Sequence, residues 1–150
     1  MLVSEILRIK GHTLFTTTPD GKVLDAVTVM AQHDIGSLVV MDRGRMSGLL
    51  TFAEVLKAMS ERGGTLGDLR VADICQRDPL IATPHLDVME LRRSMLEQHA
   101  RYVPVMEGTT LQGVVSFHDV AKAVLEEQSF ENRMLKSYIE DSRGTSGTSE

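Results

Sequence analysis

The sequence predicts a mixed α/β (α+β) fold built from two copies of one β-α-β-β-α unit. The strongest observation is an internal repeat: at an offset of 65 residues, segment 18–58 aligns with segment 83–123 without a gap. Eleven of the 41 aligned positions are identical, whereas unrelated segments of average composition give about two or three identities. Amphipathic helices and apolar hairpin strands recur in both copies, so the chain is interpreted as an internal duplication.

Each copy begins with a short helix, because segment 3–7 resembles segment 71–75. A Thr-Pro pair follows in each copy, and after it apolar residues recur at a spacing of three to four, which is typical of an amphipathic helix. These apolar positions are Val23, Val27, Met30 and Ala31 in the first copy and Val88, Leu91 and Met95 in the second.

A β-hairpin is predicted next in each copy. The apolar runs 37–41 and 102–106 are followed by the turn segments 42–44 and 107–109, and the return strands are 46–50 and 111–115. Each return strand leads into a second helix near Phe52 or Phe117. Nearly continuous apolar strands between helices indicate a small sheet covered by helices.

The chain divides into a first repeat at 1–62, a linker at 63–70 and a second repeat at 71–126. A helical extension at 127–141 and a tail at 142–150 follow. The linker contains Gly63, Gly64 and Gly67, and the tail is rich in Gly, Ser and Thr, so the tail is predicted to be disordered. The few apolar positions of the extended second helix are Leu125, Phe130, Leu135, Tyr138 and Ile139.

Composition limits the possible functions. The formal net charge of −5 and the absence of any basic run longer than Arg92-Arg93 argue against nucleic-acid binding. No apolar run approaches the roughly 18 residues that span a bilayer, and the N-terminal segment lacks the apolar core of a secretory signal. With the single Cys75, these features predict a cytoplasmic protein. Neither a metal-binding histidine spacing nor a catalytic nucleophile stands out.

The candidate functional residues lie where each hairpin runs into its closing helix, in segments 48–54 and 113–119. Thr51 with Glu54, and Ser116 with Asp119, have the spacing of a capping box, which satisfies free N–H groups at a helix start. That structural role is one interpretation. The other is that the helix start and its hydroxyl bind a phosphate, while the carboxylate one turn later accepts the hydroxyls of a ribose.

The order of Thr-Pro, helix, "RYVPVM", hairpin and "GVVSFHDV" resembles the tandem cystathionine-β-synthase (CBS) domain pair, or Bateman module, over about residues 1–125. The layout is similar to that of small bacterial stand-alone CBS-pair proteins. The resemblance implies two CBS repeats packed about a pseudo-twofold axis, with two clefts that in many members bind AMP, ATP or NAD(H). It also implies a homodimer.

The family pattern matches the second copy better than the first. It implies that Asp119 binds ribose and that Ser116 and Arg101 bind phosphate. In the first copy Thr51 keeps the hydroxyl, but Glu54 replaces the usual Asp and Gly36 stands at the position of Arg101, so we expect the cleft with the second copy's motif to be used.

Further candidates come from their position in the sequence. His118, at the start of the second copy's closing helix, and Lys10, in the segment that leads to the first cleft, are candidate phosphate contacts, with a solvated side chain as the alternative for each. The adenine pocket is expected between the loop before Thr-Pro and the next strand. Its candidate residues are Ile81, Thr83, Tyr102, Val103 and Pro104, with Thr18 and Ser37.

The leading functional prediction is a non-catalytic module that binds an adenine nucleotide and regulates an unknown partner. One alternative is a dimeric scaffold whose clefts are empty and whose Thr51, Glu54, Ser116 and Asp119 serve only as helix caps. Another is a weak nucleotide hydrolase, which the lack of a nucleophile or metal constellation disfavours.

Overall fold

The computed structural model describes residues 1–11 and 13–147, with the backbone alone for 142–147. Its elements confirm the predicted mixed fold of helices and two small sheets. In chain order they are α1 (Val3–Lys10), β1 (Thr16–Thr17), α2 (Val23–His33), β2 (Ser37–Asp42), β3 (Arg45–Thr51), α3 (Phe52–Glu61), α4 (Val71–Ile74), α5 (Val88–Gln98), β4 (Tyr102–Glu107), β5 (Thr110–Ser116) and α6 (Phe117–Gly147).

Both predicted hairpins form, and they carry the same irregularity. β2 pairs antiparallel with β3, β4 pairs antiparallel with β5, and the register shifts at the equivalent steps 40/41 and 105/106. In the first hairpin the two-residue turn places Arg43 and Gly44 at positive φ, which matches the twist of the flanking strands. The duplication therefore extends to local backbone geometry.

The first strand of the unit differs in length between the copies. In the first copy β1 pairs parallel with β2, with Thr17 opposite Val40. In the second copy the corresponding strand is reduced to a single parallel bridge between Ala82 and Val105. Thus the first sheet has three strands in the order β1-β2-β3, and the second has two.

α2 and α5 bury the faces that the sequence spacing predicts, with one exception. Val23 and Met30 of α2 are buried, and Ala26 joins them, whereas the predicted core residue Ala31 is exposed. Ala31 follows Met30 directly, and one residue turns a helix by about 100°, which carries Ala31 away from the buried stripe. In α5 the buried residues are Val88, Leu91 and Met95.

The short helices α1 and α4 cross between the two units. Val3, Ile6 and Leu7 of α1 are buried in the core of the second copy, while Val71 of α4 is buried in the core of the first. Equivalent backbone hydrogen bonds hold each short helix against the other unit. Val3 N–H donates to Leu86 O at 2.9 Å, and Val71 N–H donates to Gly21 O at 2.9 Å. The sequence boundaries 1–62 and 71–126 therefore do not coincide with the two packed cores.

α6 is much longer than its counterpart α3. Ala123 and Val124 pack in the second core, and from Gln128 to Asp141 the side chains are exposed. The helix continues to Gly147, and the disorder predicted for the tail at 142–150 stays a prediction. Helix propagation adds one hydrogen bond per residue, so residues of low propensity can extend a helix that has already formed. Residues 148–150 lie outside the described part of the chain.

Within the described ranges we find no helix that combines the length and the apolar character needed to cross a membrane.

Candidate functional site

Both strand-to-helix corners form reciprocal capping boxes. At the start of α6, Ser116 N–H donates to Asp119 Oδ2 at 2.9 Å, and Asp119 N–H donates to Ser116 Oγ at 3.1 Å. At the start of α3, Thr51 N–H donates to Glu54 Oε1 at 3.1 Å, and the Thr51 hydroxyl donates to the other carboxylate oxygen of Glu54. The structural role predicted for these residues is therefore present in both copies.

Lys10 makes the second corner different from the first. Because α1 crosses to the second unit, its last residue lies at the start of α6, where Lys10 Nζ is 2.7 Å from Asp119 Oδ2 and 2.9 Å from Val114 O. The sequence suggested instead that Lys10 belongs to the first cleft. The helix exchange corrects this, because it carries the C-terminus of α1 to the other copy.

The ionisation of Asp119 reflects this arrangement. Partial burial raises the pKa of Asp119, but the hydrogen bonds from Lys10 and from Ser116 N–H, with the positive charge of Lys10, outweigh burial. The net result is a pKa below the usual range of an aspartate. Asp119 is therefore an anion at neutral pH and is paired with a cation.

A pH titration should reveal the contribution of this pair to stability. Since folding lowers the pKa of Asp119, its stabilisation is present above the unfolded-state pKa of about 4 and is lost as the pH falls through the lower folded-state value. In thermal unfolding, the difference in Tm between wild type and Asp119→Asn should be largest at pH 6–7 and shrink below about pH 4. A difference that stays constant down to pH 2.5 would contradict this assignment.

A cavity of about 760 Å³ opens beside the second corner. Lys10, Arg101 and His118 give it a basic side, and aromatic and aliphatic side chains form apolar walls. The lining residues are Lys10, Gly11, Thr13, Leu14, Phe15, Asp34, Ile35, Gly36, Ser37, Phe52, Arg101, Tyr102, Val114, Ser116, Phe117 and His118. Its volume lies within the range of about 300–1,000 Å³ that is usual for small-molecule sites.

The corresponding cavity at the first corner is only about 130 Å³. It lies beside Thr51 and is bordered by segments 78–80 and 98–102, which are equivalent at the offset of 65 to 13–15 and 33–37. Gly36 and Ser37 at the large cavity correspond to Arg101 and Tyr102 at the small one. The smaller side chains leave more space, so of these two cavities between described residues the larger lies at the second corner.

Arg101 lies between the two cavities and borders both. Its guanidinium carbon is 5.3 Å from the centre of the Phe52 ring, a cation–π contact, and Tyr102 meets the same ring edge-on at 6.2 Å. The sequence did not identify Phe52 as part of the site. Its position after the hydroxyl of the first corner indicated only a helix start.

The structure brings together part of the predicted site. Most of the predicted phosphate-side residues of the second corner line the large cavity, and Asp119 is joined to it through Lys10. Thr51 borders the small cavity, and Glu54 caps α3. The predicted residues that line the large cavity are Lys10, Ser37, Arg101, Tyr102, Ser116 and His118.

Most of the residues predicted for the adenine pocket do not line the large cavity. Val103 and Pro104 are buried, and Val103 belongs to the second core, whereas Ile81, Thr83 and Thr18 are exposed and border neither cavity. The wall opposite the second corner comes instead from segments 13–15 and 34–37 of the first copy. Each corner thus faces the other copy's loops, which the self-alignment could not indicate.

The fold and the cavity define a duplicated module with a cavity of ligand size at the start of α6. The family model for the CBS domain matches residues 3–61 and 71–126. The chain belongs to the CBS-domain family, as its sequence predicted.

Its relatives include small CBS proteins of several organisms. The CBS domain-containing protein CBSX3, mitochondrial, of Arabidopsis thaliana is 30% identical, over 92% of this chain and 71% of that protein. This chain is also 28% identical in sequence to a putative signal-transduction protein with CBS domains from Burkholderia ambifaria. The two structures match with a TM-score of 0.79, over 85% of this chain and 96% of the other.

A more distant structure contains adenosine compounds. The CBS domain pair of protein MJ0100 was solved in complex with 5′-methylthioadenosine and S-adenosyl-L-methionine. It is 20% identical to this chain, with a TM-score of 0.75 over 85% of this chain and 98% of the other. At this identity the likeness establishes a shared fold.

Proposed function

We propose that this protein is a non-catalytic regulatory module that binds an adenine nucleotide, AMP, ATP or NAD(H), in the cavity beside Ser116 and Asp119. The observation that carries the proposal is that this cavity of about 760 Å³, beside the start of α6, combines apolar walls with the basic side chains of Lys10, Arg101 and His118, which outnumber the acidic Asp34. An adenine ring requires the walls, and a phosphate requires the basic side.

The roles within the cavity follow from the chemistry of its two sides. Arg101, Lys10 and His118 would meet the phosphate, together with the Ser116 hydroxyl at the positive end of the α6 dipole. Asp119 would accept the ribose hydroxyls, as an acidic residue does in dinucleotide-binding folds. Phe15, with its neighbours in segment 13–15, would pack against the base.

The alternative is a scaffold whose corners are only helix caps, and the capping hydrogen bonds at both corners favour it. The two functions differ in what a nucleotide does. In the regulatory module, binding changes the packing of the two units or of two protomers, and a partner reads that change. We also propose the homodimer that the family resemblance implies.

A nucleotide panel tests the proposal. AMP, ADP, ATP, NAD⁺ and NADH would be added singly to the purified protein in thermal unfolding and calorimetry, with S-adenosyl-L-methionine and 5′-methylthioadenosine as further adenosine compounds. A ligand at 100 times its Kd should add about 2.7 kcal/mol of stability, a rise in Tm of a few degrees. No change with any compound would reject the proposal.

Paired substitutions separate ligand binding from capping. Asp119→Asn and Glu54→Gln both remove the carboxylate of a capping box, so each should lower the free energy of unfolding by about 1 kcal/mol, and Asp119→Asn by more because it also loses the Lys10 ion pair. Only Asp119→Asn should weaken nucleotide binding, because Glu54 lies at the small cavity of about 130 Å³. Equal nucleotide affinities in wild type and both variants would mean that Asp119 is only a cap, and absence of binding in all three proteins would support the scaffold. Absence of turnover with the same nucleotides would dismiss the hydrolase.

A further inference from the structure

Lys10 forms an ion pair with Asp119, the carboxylate that we propose binds the ribose. Its ammonium lies 2.7 Å from Asp119 Oδ2, and the same oxygen accepts the Ser116 N–H at 2.9 Å. Lys10 also donates to Val114 O at 2.9 Å and borders the cavity. One side chain therefore contacts both the carboxylate and the space where a ligand would lie.

A ribose that pairs with both carboxylate oxygens of Asp119 competes with this ion pair. Its two hydroxyls donate one to each oxygen, so the hydroxyl at Oδ2 competes with the Lys10 ammonium for that acceptor. The side chain of Lys10 is 42% exposed, and its long flexible stem allows the ammonium to move into the cavity. Once moved, it loses an anionic partner and needs another.

The chemistry of the ligand decides whether that partner is present. A phosphate provides oxygen acceptors and negative charge, so the displaced ammonium exchanges one anion for another. A nucleoside without phosphate provides no anionic acceptor, so its ribose breaks the ion pair and gives the ammonium no negative charge in return. The difference between the two ligands should therefore depend on the charge at position 10.

We infer that Lys10 is a specificity-determining residue that makes the cavity favour phosphorylated adenosine compounds over unphosphorylated adenosine. The inference rests on the proposed function and deepens it, because it identifies how the same site distinguishes its ligands. Lys10 acts by exchanging the Asp119 carboxylate for the ligand's phosphate.

Calorimetric titration with AMP and with adenosine tests the exchange in four proteins: wild type, Lys10→Met, Lys10→Arg and Lys57→Met. Lys57 is an exposed lysine of α3 that borders neither cavity, so its variant controls for the loss of one positive charge. Circular dichroism would establish that each variant is folded.

The expected result is that wild type binds AMP more tightly than adenosine and that Lys10→Met lowers this ratio of affinities about tenfold or more. That factor is typical of losing a hydrogen bond between charged groups. In Lys10→Met, AMP should bind more weakly and adenosine at least as tightly as in wild type. Lys10→Arg and Lys57→Met should keep the preference.

Two results would overturn the inference, and they are distinguishable. If both ligands bind but the ratio is the same in wild type and Lys10→Met, the nucleotide site stands and the exchange is wrong. If wild type binds neither AMP nor adenosine and no other nucleotide of the panel, the proposed function fails and the exchange fails with it.

Discussion

Replacing Leu7 by alanine should lower the free energy of unfolding by about 2–5 kcal/mol, the usual effect of emptying a buried leucine site. Leu7 is 2% exposed and belongs to the core of the second copy, although it lies on the first copy's helix α1. The change is measured by urea unfolding, as a lower midpoint with an unchanged slope. Leu56→Ala, which removes a leucine that is 60% exposed, is the control and should stay within about 0.5 kcal/mol.

Hydrogen exchange shows which elements of the fold Leu7→Ala destabilises. Hydrogen exchange in Leu7→Ala should accelerate first in α5, β4 and β5, which share the core with α1, rather than in α2 or α3. Faster exchange confined to α2 and α3 would mean that α1 packs on its own copy. That result would also remove the reason for Lys10 to lie beside Asp119.

Local patterns were sufficient to predict the elements of each copy. The hairpin at 37–51 and the starts of α3 and α6 follow from apolar runs, turn residues and capping residues within a few positions of each other. The same holds for the family, since the quoted segments carry its pattern in sequence. Such features depend on short-range interactions, which repeat when a sequence is duplicated.

Which copy a helix packs against could not be predicted in this way. α1 and α4 have apolar residues that fit either core, and no local signal distinguishes the two possibilities. The crossing of α1 to the second copy brings Lys10 to Asp119, and the cavity is formed by residues of both copies. Of the residues predicted for the adenine pocket, Ser37 and Tyr102 line the large cavity, and the local pattern could not indicate that segment 13–15 lines it too.

The packing of the two copies against each other changes the interpretation of Gly36. In the sequence, its lack of a basic side chain indicated a weaker phosphate site in the first copy. In the structure Gly36 borders the large cavity beside the second copy's corner, and an added Cβ would clash with the hydroxyl oxygen of Tyr102. Glycine at position 36, where the family pattern has arginine, therefore leaves space in the large cavity beside Ser116.

The duplicated glycines of the return strands should respond unequally to alanine. A Cβ at Gly48 would lie 2.5 Å from the backbone oxygen of Gln76. That oxygen accepts the Leu49 N–H at 2.9 Å, and Gln76 N–H donates to Leu49 O at 2.8 Å. Backbone held in this way cannot move without losing those bonds. We expect Gly48→Ala to lower the free energy of unfolding by about 3 kcal/mol, the upper part of the range for overpacking.

At Gly113 the same Cβ would meet Leu7 Cδ2 at 2.8 Å, the end of a flexible side chain that can rotate away. Gly113→Ala should therefore cost about 1 kcal/mol, the lower part of that range. Double-mutant cycles in urea distinguish the two causes. Leu7→Ala should relieve the clash of Gly113→Ala, giving a clearly less than additive loss, whereas Gln76→Ala should leave the loss from Gly48→Ala unchanged because the obstructing atom is backbone. Relief of Gly48→Ala by Gln76→Ala would contradict the close backbone approach, and with it the docking of the segment after α4 on β3.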